Sequence, residues 1–211
     1  MVRIKICGIT KPEDAKLCAD LGAHAIGLNF YEASPRCLTP FAASELIRRL
    51  PPFVAPVGVF VNWAPAPIVA LCKALRLAAA QLHGDETTQV VDAVARRLPV
   101  IKALPVGQGA AAPDFSRFRG ASAFLLDSAL SGQYGGSGIT GNWHAARASA
   151  QTQRIILAGG LTPENVAEAI RIVRPYAVDV TSGVEQRPGK KDPVKLRAFF
   201  EEANRASREI S

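Results

Sequence analysis

Five groups of residues in this 211-residue chain have the right types, in the right places, to do chemistry. Cys7 stands directly after the apolar run Val2–Ile6 and directly before Gly8. A thiol at such a junction can serve as a general base if its pKa, ordinarily about 8.5, is lowered. A free cysteine is as often a small buried hydrophobe, and position alone leaves both roles open for Cys7. Asp127 ends the apolar run Phe124-Leu125-Leu126. Burial raises a carboxyl pKa, and an aspartate so placed could hold a proton and act as general acid. A turn cap or an arginine partner is the plainer role for it. Arg36, in Ser34-Pro35-Arg36, offers a planar fork suited to a carboxylate or phosphate, although surface arginines are common. His83 is either a ligand contact or a satisfied structural histidine.

The fifth group is made of glycines. Gly159-Gly160 and Ser182-Gly183 follow two successive apolar runs late in the chain. Glycine lets backbone N–H groups approach an anion closely, so these loops are expected to bind phosphate. Tight strand-to-helix turns would use the same residues.

These residues need a scaffold. Eight short apolar runs supply one: Val2–Ile6, Ala25–Phe30, Val57–Val61, Ala78–Leu82, Val100–Leu104, Ala123–Leu126, Ile155–Ala158 and Ala177–Val180. Several are apolar almost throughout, the habit of parallel strands covered on both faces. Helical spacing falls between them. Ala43, Leu46, Ile47 and Leu50 sit at i, i+3, i+4 and i+7, as do Leu196, Phe199, Phe200 and Ala203. Thr10 with Glu13 reads as a capping box, and Thr39-Pro40, Thr162-Pro163 and Asp192-Pro193 each pair a capping side chain with a first-turn proline. Pro113–Phe118 is the weakest helical stretch, and Val106–Pro113 and Ser128–Gly141 read as loops.

Eight strand–helix alternations at about 26 residues each predict one α/β domain over residues 1–211, a closed (β/α)8 TIM barrel near its lower size limit. A doubly wound open sheet would need fewer units. In such barrels the active site lies at the C-terminal ends of the strands. Cys7, Tyr31 to Arg36, Asn62, His83-Gly84-Asp85, Asp127, the paired glycines and Thr181-Ser182-Gly183 all fall there. That gathering is a stronger signal than any one residue.

Composition narrows the alternatives. Apolar residues are 48% and charged residues 20%, a globular balance. No apolar run approaches the roughly 18 residues of a membrane span, and no secretory leader is recognisable, so a cytoplasmic location is expected. The net charge of +7 comes from dispersed basic residues without a block or interleaved aromatics, which argues against nucleic acid. Cys7, Cys18, Cys37 and Cys72 match no zinc or redox spacing and are read as reduced thiols. No metal is expected from them or from the scattered His24, His83 and His144.

The ordered motifs resemble those of phosphoribosylanthranilate isomerases. Lys5-Ile6-Cys7-Gly8-Ile9-Thr10 resembles the family's opening signature. The similarity continues through Gly58-Val59-Phe60-Val61-Asn62, Gln81-Leu82-His83-Gly84-Asp85-Glu86, Leu125-Leu126-Asp127 and Leu157 to Val166. It closes with Val178-Asp179-Val180-Thr181-Ser182-Gly183-Val184-Glu185 and Pro188-Gly189-Lys190-Lys191-Asp192. The resemblance implies an Amadori rearrangement of N-(5'-phosphoribosyl)anthranilate, a step of tryptophan biosynthesis, without metal or cofactor. By the same resemblance Cys7 is the general base, Asp127 the general acid and Arg36 the anchor for the anthranilate carboxylate. His83 and Asp179 join Arg36 as substrate-binding candidates, and Gly159, Gly160, Ser182 and Gly183 hold the phosphate. The expected partner is this small substrate, with neither nucleic acid nor membrane, and the oligomeric state is left open.

Ile139, Gly141-Asn142-Trp143 and Cys37 depart from the usual family pattern, the first four in the loop after Asp127. The rival reading is another sugar-phosphate isomerase or epimerase on the same barrel, since fold does not fix function. A bifunctional relative that also takes the aminoimidazole substrate of histidine synthesis typically carries two aspartates, and Cys7 in place of the first argues against it.

Overall fold

In the computed structural model the residues described are 1–106, 113–127 and 143–210. The loop readings for 107–112 and 128–142, with the departures at Ile139, Gly141 and Asn142, lie outside them. Eight parallel strands form a closed barrel in chain order: β1 (Arg3–Ile6), β2 (Ala25–Asn29), β3 (Ala55–Phe60), β4 (Ala79–Leu82), β5 (Val100–Pro105), β6 (Ala123–Asp127), β7 (Ile155–Leu157) and β8 (Ala177–Val180). β1 pairs with β8 as well as β2, with Lys5 opposite Asp179 and Ile6 opposite Val180, so the sheet has no edge. The eight predicted runs are these strands, with ends that agree to within two residues.

Helices α1 (Pro12–Asp20), α2 (Pro40–Ile47), α3 (Pro65–Ala74), α4 (Thr88–Ala95), α5 (Trp143–Ala150), α6 (Val166–Val173) and α7 (Pro193–Glu209) follow strands one to four and six to eight. The fifth crossover carries among its described residues only a 3-10 turn, Phe115–Phe118, in the stretch that read as the weakest helix. A small antiparallel pair, β9 (Glu185–Arg187) and β10 (Lys190–Lys191), lies between β8 and α7.

Strand alternation sorts the side chains into two cores. Ile4, Ile6, Phe124, Leu126 and Val178 face outward and pack with Leu196, Phe199 and Phe200 of α7 in the large core between barrel and helices. Ala103, Ala123, Leu125, Ile156, Ala158 and Ala177 form a smaller separate core, the barrel interior. Lys5 and Cys7, Gln81 and His83, Leu125 and Asp127 are pairs two residues apart. Each pair therefore shares one face of its strand.

Two of the four predicted helix starts hold. Thr39 accepts from Ala42 N, and Asp192 accepts from Val194 N and Lys195 N. The capping box at Thr10 and Glu13 does not form: α1 begins after Lys11 with no side-chain cap, and the Thr10 hydroxyl instead donates to the Gly189 carbonyl. Its hydroxyl ties the end of β1 to the β9–β10 hairpin rather than to its own helix. Thr162-Pro163 also precedes its helix by too much. α6 starts at Val166, and Asn165 closes the intervening turn, accepting from Thr162 N and donating to Gly160 O.

Candidate active site

One cavity opens at the C-terminal end of the barrel, and all nine candidate residues line it: Cys7, Arg36, His83, Asp127, Gly159, Gly160, Asp179, Ser182 and Gly183. They arrive from six different strand ends. Gln81, Asn29 and Thr181 also line it, and sequence reading gave them no role.

Cys7 is buried, and its Sγ points across β2 where Gly27 has no side chain. A Cβ at Gly27 would sit 2.5 Å from Cys7 Sγ and 3.1 Å from Lys5 Nζ. Glycine thus makes the room that the thiol occupies. Lys5 is itself buried and donates to both Asp179 oxygens at 2.9 Å. Burial works against the Lys5 charge, but Asp179 and then Cys7 outweigh it and raise the ammonium pKa above its ordinary value. An ammonium thus stands beside the thiol, held there by Asp179. The expected substrate contact Asp179 is accordingly committed to Lys5 through both oxygens.

Asp127 is 5% exposed. His83 Nε2 lies 3.3 Å from its Oδ2, and Gln81 Nε2 lies 2.8 Å from His83 Nδ1. Asp127 Oδ1 and Gln81 Oε1 are buried and have no hydrogen-bond partner among the described residues. Unpaired buried acceptors are rare, because each loses its water without replacement.

Arg36 is oriented by Glu185. Nε donates to Oε1 at 2.9 Å and Nη2 to Oε2 at 2.6 Å. That contact raises the guanidinium pKa. Burial pushes Glu185 the other way, but Arg36 and Lys191 prevail and hold its carboxyl below the usual range. Lys191, with its side chain wholly buried, bonds Glu185 Oε1, Cys7 O and Thr181 O. The motif around Pro188 to Asp192 therefore works at a distance, locking the ends of β1 and β8 together and fixing Arg36 from behind. Nη1 is not part of the Glu185 contact, and Arg36 lines the cavity.

The glycine loops meet closely. A Cβ on Gly183 would collide with the Leu161 carbonyl, so only glycine lets the loop after β8 lie against the loop after β7. Gly159 and Gly160 both have positive φ, 77° and 66°. Backbone from two adjacent loops thus forms one wall of the cavity. Among the described residues no group of three or more His, Cys, Asp or Glu is gathered to hold a metal ion. No helix among them is long and apolar enough to cross a membrane.

Lys5, Gln81, Glu185 and Lys191 were the residues that sequence reading missed as parts of the site. Alternation would have found the first two, since they sit two positions before Cys7 and His83 on the same strand face. Glu185 and Lys191 reach the site through tertiary contacts that no local spacing announces.

A closed parallel barrel with a thiol, a carboxyl and a guanidinium around one mouth defines a (β/α)8 enzyme suited to acid–base chemistry on an anionic small molecule. Comparison with known proteins gives the particular kind. The profile of N-(5'phosphoribosyl)anthranilate (PRA) isomerase matches residues 4–202, and the chain belongs to that family. It is 50% identical over 200 residues to the N-(5'-phosphoribosyl)anthranilate isomerase of Pelobacter propionicus, covering 95% of this chain and 94% of the relative. It is 48% identical to that of Trichlorobacter lovleyi over 98% of this chain and all of the relative. Among solved structures, the phosphoribosyl anthranilate isomerase of Thermotoga maritima superposes with a TM-score of 0.88 at 41% identity, covering 97% of this chain and 99% of the other. A further isomerase structure, 41% identical with a TM-score of 0.84 over the same coverage, was solved in complex with reduced 1-(o-carboxyphenylamino)-1-deoxyribulose 5-phosphate.

Proposed function

We propose that this chain catalyses the Amadori rearrangement of N-(5'-phosphoribosyl)anthranilate to 1-(2-carboxyphenylamino)-1-deoxyribulose 5-phosphate in tryptophan biosynthesis, with Asp127 as general acid and Cys7 as general base. The observation that carries the reading is that Cys7 and Asp127, 120 positions apart, line one cavity with Arg36 and two glycine loops. Asp127 gives its proton to the furanose ring oxygen as the C1'–O bond breaks. The anilino nitrogen supplies the electron pair and becomes an iminium. The Cys7 thiolate then takes the C2' proton; the C–H electrons form the C1'=C2' bond, and the iminium electrons return to nitrogen. The resulting enolamine becomes the ketone by losing its enol proton and gaining one at C1'. Acid and base start in opposite protonation states, and every step is a proton transfer, so no cofactor enters.

Arg36 anchors the anthranilate carboxylate, with Glu185 holding the guanidinium plane. Gly159, Gly160, Ser182 and Gly183 receive the ribose phosphate on backbone N–H groups. His83 and Asp179 shape the cavity between these ends, and residues 1–211 act as one catalytic unit. Three of the free cysteines are buried, which suits a reducing cytoplasmic setting.

The test is loss of phosphoribosylanthranilate fluorescence with purified protein. Turnover is expected in the wild type. Cys7→Ser and Asp127→Asn should each lower kcat by about 10²-fold or more with KM largely kept, because each removes a proton-transfer group. Full activity in either variant removes that residue from the mechanism.

A further inference from the structure

The acid role of Asp127 leaves open which side chains hold its carboxyl in place. We infer that Gln81 and His83 form a positioning pair that orients the Asp127 carboxyl at the cavity. The inference rests on Asp127 being the acid, and adds the residues that aim it.

Gln81 turns its amide nitrogen to His83 Nδ1 at 2.8 Å. An amide nitrogen only donates, so Nδ1 must accept, and the single proton of the neutral ring sits on Nε2. Nε2 lies 3.3 Å from Asp127 Oδ2. The ring N–H thus faces Oδ2 and sets the rotation of the carboxyl. Oδ1 is buried without a hydrogen-bond partner among the described residues, so His83 is the side chain that faces this carboxyl. His83 and Gln81 share one strand face on the β4 end, so the pair is fixed by the barrel itself. Gln81 Oε1, also buried without a partner, is the atom a reversed amide would place on Nδ1, and that reversal would move the ring proton to Nδ1.

Two measurements on the full-length protein decide the matter. Long-range 1H–15N correlation of the imidazoles resolves the chain's three histidines. His83 should be the neutral Nε2–H tautomer at pH 7.5, and Gln81→Met should release it to a mixture. The Nδ1–H tautomer or an imidazolium at that pH, with Gln81 intact, overturns the inference. In kinetics, His83→Leu should lower kcat about tenfold at unchanged KM, as a misaimed acid does. His83→Gln, whose amide nitrogen can stand where Nε2 stood, should recover most of that loss. In an Asp127→Asn background His83→Leu should cost nothing further. An equal loss in both backgrounds, or a KM rise that accounts for the effect, shows that His83 acts on the substrate itself and overturns the inference. Absence of any turnover in the wild type would instead sink the isomerase reading, whereas the tautomer is read without substrate.

Discussion

Gly27→Ala is the sharpest test of how the thiol is seated. The added methyl carbon would stand 2.5 Å from Cys7 Sγ, 3.1 Å from Cys7 Cα and 3.1 Å from Lys5 Nζ. Unbonded heavy atoms settle at about 3.5–4.0 Å, so the thiol must retreat by about 1 Å or more. Both Cα and Lys5 Nζ hem in the methyl, and Lys5 is tied to Asp179 by two 2.9 Å contacts, so the strain cannot be passed to a loose neighbour. Misplacing a reacting group by about 1 Å can lower a rate by about 10²-fold. The fall should appear in kcat, since neither Arg36 nor the glycine loops touch the new methyl. Overpacking of this kind costs about 1–3 kcal/mol, and each kcal/mol is worth about 2–4 °C in a domain of this size. A fluorescence-based kcat and a calorimetric Tm measure both. Cys7→Ser and Gly27→Ala should also combine to little more than either alone, because they act on one group. Wild-type kcat and Tm in Gly27→Ala would show that the thiol does not sit against β2, and the placement of the base would have to be redrawn.

Other outcomes follow from the same geometry. Arg36→Met should raise KM for substrates that carry the anthranilate carboxylate and leave a decarboxylated analogue unaffected; equal losses for both would reject the contact. Glu185 has a folded pKa below its ordinary 4.5, so its contribution to stability is present above that value and is lost as pH falls through the folded pKa. Denaturant titrations should therefore show wild type above Glu185→Gln at pH 7, with the gap closing below about pH 4.5. Burial pushes the Cys18 thiol up to about 12, from 9.0. The stability this gives is whole below about pH 9 and lost as pH climbs toward 12, because unfolded chains release the thiol proton first. Cys18→Ala should flatten that alkaline decline, and an unchanged slope would show that Cys18 is not the group responsible.

The barrel was legible because parallel strands covered on both faces must be apolar, and eight such runs are hard to miss. Cys7, Asp127 and the glycine pairs were legible because they interrupt that pattern at the strand ends. The acid and base roles proposed for Asp127 and Cys7 rest on the family resemblance. Helix starts were read less well: Thr10 had the right spacing for a cap, yet a hydroxyl can serve a distant carbonyl equally well, and Gly189 took it. The support behind the site was the least legible. Arg36 and Glu185 are 149 residues apart, and nothing near either one names the other. Lys5 and Gln81 look like ordinary polar interruptions of a strand until the barrel closes and shows which way they face.

The Lys191 ammonium reaches the carbonyl of Cys7 from 184 positions further along the chain. During synthesis Cys7 is made well before the group that pins its backbone. Newly made protein should thus gain activity abruptly, only after the ribosome has released the stretch beyond β8, and fragments ending earlier should be inert even when their strands have paired.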